Sequence, residues 1–257
     1  MKFFVEKDSV VRNIWGKGDT ILFIFAGASA EFALNKAVDW LYYTGRLPSD
    51  PLGRLFSTVN YARQIVFSEN EAALHAIDKI TAIHTSIEKQ RGGKIPDWAY
   101  RDVLFMLIDY SIRSYEILEN KLTAAEKEEV FEVFNRVGYR MNLKGLPSSY
   151  KEWVQMRDEH LQNDLLKSDF TIDLYKQYRK HLGPLRYKLV MEGQTLVVPQ
   201  KVNELLKLGR FSLLTPVLGL YKLLRRLRLD WFLKSAILPN EYKEEIKELD
   251  MVMNRTQ

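Results

Sequence analysis

Three polar side chains, Arg54, Thr58 and His84, lie where they could do chemistry on otherwise apolar helix surfaces. Arg54 and Thr58 are four positions apart in a stretch of helical periodicity, so they share one helix face. His84 follows in the next helical stretch, on a face that is otherwise apolar. That face consists of Ala73, Ile77, Ile80 and Ile87.

His84 has two interpretations. An imidazole directed toward the interior can be a metal or haem-iron ligand, or a general base. It can also be a core histidine that is hydrogen-bonded to a neighbour, because buried polar groups usually find a partner. The spacing alone favours the structural interpretation.

The three other histidines are interpreted as having no functional role. His75 lies near Asp78 and Lys79 and is predicted to be solvated. His160 is surrounded by charge in the run RDEHLQND, and His181 lies in the last turn of a predicted helix, where a cation is favourable. No HExxH motif and no paired-histidine spacing indicates a metal site.

Arg54 also has two interpretations. It could bind an anion, such as a carboxylate or a cofactor propionate. It could instead pair with an acidic residue and hold two helices in register. Asp109 is the candidate partner, because it lies among apolar residues in a long helical stretch.

The composition excludes several classes of chemistry. The sequence contains no cysteine, so disulfides, thiol catalysis and cysteine-type zinc sites are ruled out. No GxSxG elbow supports a hydrolase. The net charge is +5, but no RNP, zinc-finger or Gly-rich phosphate motif accompanies it, so nucleic acid is not a predicted partner.

The elements that position these residues are predicted to be helices. We expect an all-α, single-domain bundle of about ten helices, with globin-like packing and a central pocket between helices. Residues 1–209 are assigned to the helical core, and 210–257 to basic amphipathic helices packed on the same domain. One helix is predicted over about 20–43, and two successive helices over about 172–182 and 184–193.

The segment 213–234 combines leucines at helical spacing with basic and aromatic residues. Such a helix can lie on an anionic membrane surface. It can also be a core helix whose basic side faces solvent. The basic residues are Arg225, Arg226, Arg228 and Lys234, and the aromatic ones are Tyr221, Trp231 and Phe232.

The start of the sequence does not read as a signal peptide, and we expect a cytoplasmic protein, either without membrane contact or peripheral to the inner face of the membrane through 213–234.

A series of short motifs occurs in order between about residues 21 and 199. They are Asp50-Pro51, Arg54-Leu55, Thr58, His84-Thr-Ser-Ile87, Ile95-Pro96 with Tyr100, Asp109, Tyr115-Glu116, Leu122-Thr-Ala-Ala-Glu126 and Gly145-Leu-Pro147. In this order the chain resembles the MpaB-type oxygenase family, which includes the latex-clearing rubber oxygenase.

The resemblance implies an all-helical protein that binds haem b. His84 would fall on the family's haem-ligating histidine, and Arg54 and Thr58 on the residues near the distal face; we add Asp109 to the cofactor-binding residues. The implied function is a haem-b-dependent oxygenase that activates dioxygen toward an apolar, isoprenoid- or lipid-like substrate. Arg54 and Thr58 would be its catalytic residues.

The sequence also departs from the family pattern. A W-V-H segment of many members aligns with Asp102-Val-Leu104, a His-Pro in the first helix aligns within 34–38, and a lysine before the threonine is Ser57. These departures keep a second function open. The protein would then be a non-catalytic helical binding protein of the same fold, which holds a lipid or another apolar ligand, with a membrane surface as one place to do so.

Overall fold

A computed structural model describes residues 2–45 and 49–226 of the protein, except for a few side chains that include those of Arg54 and Arg226. The only β-pairing among these residues is two isolated bridges. The helices are α1 (Val10–Trp15), α2 (Gly18–Phe32), α3 (Asp39–Tyr43), α4 (Pro51–Phe67), α5 (Asn70–Arg91), α6 (Asp97–Leu118), α7 (Ala124–Arg140), α8 (Tyr150–Asn163), α9 (Asp169–Val197), α10 (Gln200–Leu206) and α11 (Thr215–Arg226). The predicted all-α, single-domain fold is confirmed, whereas globin-like packing and a central pocket stay predictions.

Helix α2 lies at the centre of the bundle. It packs against α6 and α9, and α6 packs in turn against α7 and α8. The α2 sequence is apolar on most of its faces, which is typical of a helix that is buried all round. No helix among the described residues is long and apolar enough to cross a membrane.

The predicted continuous helix over 20–43 is wrong, because α2 ends at Phe32 and α3 begins only at Asp39. The side chain of Asn35 accepts a hydrogen bond from the backbone N–H of Ala37 at 2.8 Å, which offers the backbone a turn instead of a helix. The backbone O of Leu34 also accepts from Leu166 N–H at 2.7 Å. The chain leaves the helix here to pair with the segment that follows α8.

The predicted break between helices near residue 183 is confirmed. Gly183 has a φ of 71° and a ψ of 170° within the continuous span of α9. The positive φ favours glycine, and Pro184 lacks the N–H that an uninterrupted helix would use. The two halves of α9 are therefore separate helical segments joined by a kink.

Gly27 of α2 packs closely against the ring of Tyr110 of α6. A Cβ atom added at Gly27 would lie 2.2 Å from Cδ1 of Tyr110, and Tyr110 is fully buried. A side chain at position 27 would therefore push α2 and α6 apart.

We expect Gly27→Ala to lower the free energy of unfolding by about 1–3 kcal/mol, because overpacking outweighs the gain in helix propensity. Gly219→Ala is the control, since a Cβ atom there meets nothing within 4 Å. The control should be neutral or stabilising by up to about 1 kcal/mol. Urea unfolding measures both, and equal stabilities of the two variants would contradict the prediction.

Candidate functional site

A buried pair of opposite charges lies where α2 and α8 meet. Glu31 is fully buried on α2, and Arg157 is 4 % exposed on α8. Arg157 donates from Nη1 to Oε1 of Glu31 and from Nη2 to Oε2, the latter at 2.6 Å. Such a two-point pair is the geometry in which a guanidinium binds a carboxylate most strongly.

Arg157 also binds a second carboxylate. Its Nε and Nη2 atoms donate to Oδ2 of Asp109 on α6 at 3.1 and 2.9 Å. Arg113 donates from Nε to the other oxygen, Oδ1, at 2.7 Å. The hydroxyl of Tyr110 donates to Oε2 of Glu31 at 2.7 Å. One guanidinium thus links three helices, and each carboxylate has a further donor.

His160 of α8 extends this network. It is 2 % exposed, its Nε2 lies 2.9 Å from Oε1 of Glu31, and its Nδ1 lies 2.8 Å from Oδ1 of Asp102. The prediction that His160 has no functional role stays a prediction, but its place in a charged run did not indicate that its side chain is buried. Helical spacing could have indicated this burial, because the buried residues of α8 lie on one face. They are Trp153, Arg157, His160 and Leu161.

The electrostatics of the network favour charged forms of two of its groups. Burial alone would raise the pKa of Glu31, but Arg157 and then His160 outweigh it and lower that pKa to about 2. Burial alone would lower the pKa of His160, but the nearby carboxylates of Asp102 and Glu31 raise it to about 9. Burial, together with the negative charge of Asp164, raises the pKa of Asp102.

The structure places His84 on α5, away from the buried network around Glu31 and Arg157. Its imidazole is half-buried on α5 and meets the ring of Tyr100 edge-on, with the ring centroids 5.2 Å apart. The Tyr100 hydroxyl donates to Oε1 of Glu88 at 3.1 Å, which holds the tyrosine ring in place. His84 therefore lies at the edge of the bundle rather than in its centre.

Thr58 is half-buried on α4, which packs against α5. The side chain of Arg54 lies outside the described part of the structure. Asp109, the candidate partner of Arg54, has both carboxylate oxygens bound by Arg113 and Arg157. The predicted site residues thus divide between the α4–α5 region and the buried network.

A family model for the "ER-bound oxygenase mpaB/B'/Rubber oxygenase, catalytic domain" matches residues 15–229, which is more than four fifths of the chain. The chain belongs to this family. No curated protein and no solved structure matches the chain. The resemblance found in the order of motifs is confirmed, and membership of an oxygenase catalytic-domain family supports an enzyme that uses dioxygen and a substrate.

The family match includes α11, and basic residues of this helix contact the core. Arg225 binds Oδ2 of Asp19 at 2.7 Å and Oε1 of Glu119 at 2.6 Å. The prediction that the basic side of this helix faces outward is therefore wrong for Arg225, because two largely buried carboxylates attract it. Arg228, Trp231, Phe232 and Lys234 lie outside the described residues.

The raised pKa of His160 predicts how stability depends on pH. Its folded-state pKa of about 9 exceeds the ordinary 6.5, so its contribution is complete below pH 6.5 and is lost as pH rises through 9. We expect the loss of this His160 contribution to lower the free energy of unfolding by roughly 3 kcal/mol between about pH 6.5 and about pH 9, measured in buffer that contains EDTA. His160→Gln should be less stable than the natural chain at pH 6.5. Its free energy of unfolding should also change much less with pH.

The control for this measurement is His75→Gln, which changes an exposed histidine on α5. Urea unfolding of the three proteins at a series of pH values gives the slopes. A His160→Gln protein with the slope of the natural chain would show that another group causes the dependence.

Proposed function

We propose that the protein is a haem-b-dependent oxygenase that activates dioxygen toward an apolar, isoprenoid- or lipid-like substrate. His84 is the iron ligand in this proposal. The observation that carries it is the half-buried imidazole of His84 on an apolar face of α5, at the position where the motif order puts the family's ligating histidine.

The surroundings of His84 fit a flat apolar cofactor. Ile80 and Ile87 on its helix are half-buried, and Ile83 is 40 % exposed. Apolar surface that the described residues cover only in part is what a haem macrocycle would bury. The edge-on contact with Tyr100 fixes the plane of the imidazole, as groups around a ligating histidine commonly do.

Each residue has a separate role in this proposal. Haem iron, when bound, supplies the binding and activation of dioxygen. His84 holds the iron, and Thr58 contributes a hydroxyl to an otherwise apolar pocket wall. Arg54 is proposed to bind a cofactor propionate, for which its guanidinium is suited. Asp109 acts at a distance, because its contact with Arg157 holds α6 and α8 in register, while Arg113 of its own helix binds its other oxygen.

We expect the purified protein, reconstituted with haemin, to show a Soret band at one haem per chain. His84→Ala should abolish this band or weaken haem binding at least tenfold, because the residue that would hold the iron is lost. His75→Ala is the matched control, since His75 is exposed on the same helix, and it should bind haem as the natural chain does.

Two results would contradict the haem proposal. One is a well-folded natural chain that retains no haem after unbound haemin is removed. This result would favour the non-catalytic binding protein. The other is an unchanged band in the His84→Ala protein, which would move the ligand elsewhere. Urea unfolding of each variant separates loss of haem from loss of fold.

We also propose that the protein contacts membranes peripherally through the segment 213–234. Val217, Leu220 and Leu223 of α11 recur at three-residue spacing and are exposed, while Arg225 faces the core. Apolar side chains on one face of a surface helix are suited to the boundary between headgroups and acyl chains. This contact depends on the leucines rather than on Arg225.

Flotation with vesicles of phosphatidylcholine and phosphatidylglycerol tests this contact. We expect the double variant Leu220→Glu/Leu223→Glu to float several-fold less than the natural chain, because both charges would enter the apolar layer. Leu185→Glu is the control, since Leu185 is 69 % exposed on α9, outside the segment. Equal flotation of the natural chain and the double variant, or none at all, would contradict the proposal.

A further inference from the structure

Three metal-ligating side chains meet at the edge of the buried network, away from the proposed haem ligand. His160, Asp102 and Asp164 each offer one ligand atom, and these atoms lie within 4.8 Å of one another. From Nδ1 of His160, the nearest oxygens of Asp102 and Asp164 are 2.8 and 3.5 Å away. Two atoms bonded to one ion at about 2.1 Å can be up to about 4.2 Å apart, so small shifts would bring all three onto one ion.

The Nδ1 atom of His160 points to such an ion. It is inaccessible to water and has no aligned hydrogen-bond partner, although Oδ1 of Asp102 is only 2.8 Å away. A buried ring nitrogen normally has an aligned partner, and here the close contact with Asp102 is an ion pair of poor hydrogen-bond geometry. A cation placed between the nitrogen and the two carboxylates would satisfy all three groups.

The opposite side of the imidazole is already fixed. Nε2 lies 2.9 Å from Oε1 of Glu31, a carboxylate oxygen that can only accept, so Nε2 keeps its proton when Nδ1 gives its own up to bind an ion. Asn35 donates from Nδ2 to Oδ2 of Asp102 at 3.2 Å, which leaves Oδ1 turned toward His160. A carboxylate behind a ligating histidine and a donor behind a ligating carboxylate are the usual second layer of a metal site.

The charges of the network leave two carboxylates for an ion. Arg157 and Arg113 balance Glu31 and Asp109 through the contacts described above. In the metal-free protein the imidazolium of His160 faces Asp102 and Asp164, and an ion that displaced its Nδ1 proton would leave a neutral His160 beside two negative charges. A divalent cation balances these two charges, which a buried site requires.

The scaffold holds the three ligands and leaves a way in. His160 and Asp164 are four positions apart at the end of α8, so they face the same side, and Asp102 approaches from α6. The backbone O of Asp164 accepts from Lys36 N–H at 3.0 Å, which holds the end of α8. The side chain of Asp164 is 31 % exposed, so an ion can reach the site from solvent on that side.

We propose that His160, Asp102 and Asp164 bind one divalent first-row transition-metal ion. One imidazole and two carboxylates suit Zn²⁺ or Mn²⁺, and water from the Asp164 side would complete the coordination. The ion would join α6 and α8 next to the Glu31–Arg157 pair. This site is separate from the haem proposal and does not depend on it.

Titration of the EDTA-treated, haem-free full chain with Zn²⁺ by calorimetry at pH 7.5 tests the site. We expect one Zn²⁺ per chain, and visible absorption from Co²⁺ used as a spectroscopic substitute. Asp164→Asn should weaken Zn²⁺ binding at least tenfold, because it removes a ligand charge from the partly exposed position that is least needed for folding. Asp158→Asn, at an exposed position on the same helix, should bind as the natural chain does.

Thermal unfolding provides a second measurement. Saturating Zn²⁺ should raise the melting temperature of the natural chain and of Asp158→Asn, but not that of Asp164→Asn, because binding stabilises only the folded state. His84→Ala should keep full Zn²⁺ binding. Absence of stoichiometric binding, equal affinity of Asp164→Asn, or loss of binding in His84→Ala would each overturn the proposal.

Discussion

The fold depends on one compensated charge inside its central helix. Glu31 lies in a strongly apolar helix, and a carboxylate there would be very costly without a cation. Arg157 supplies that cation and binds Asp109 with the same guanidinium, so α2, α6 and α8 can meet in only one register. Loss of the arginine would leave Asp109 with Arg113 alone and Glu31 without its main cation, and breaking a buried ion pair in this way typically costs about 3–5 kcal/mol.

The two candidate sites are connected by the first turns of α6. Tyr100 contacts His84, and two residues later Asp102 contacts His160. Residues two apart on a helix face different sides, so α6 separates the proposed haem region from the carboxylate–histidine cluster. A shift of this part of α6 would move a contact of both sites at once, and the Glu31–Arg157–Asp109 contacts oppose such a shift.

Features that depend on local sequence could be predicted, and features that depend on distant partners could not. Helical periodicity gave the all-α class, and it also predicted the break at Gly183. The end of α2 was missed because two contacts made there, Asn35 with Asp102 and Leu34 with Leu166, have partners beyond residue 100. His160 looked like a surface residue because a charged run shows its own polarity but not the carboxylates of α2 and α6 that surround it. The motif order predicted the family, which no single residue could indicate.

The contact between Arg225 and the core has a consequence for how the protein can be divided. Its two partners are Asp19 of α2 and Glu119, which directly follows α6, and their side chains are only 6 % and 16 % exposed. A fragment that ended before α11 would keep both carboxylates and lose their arginine. Because whole domains are stable by only about 5–15 kcal/mol, such a fragment would fold poorly even though it kept every proposed ligand. Fusion partners and domain transplants should therefore preserve the chain through α11.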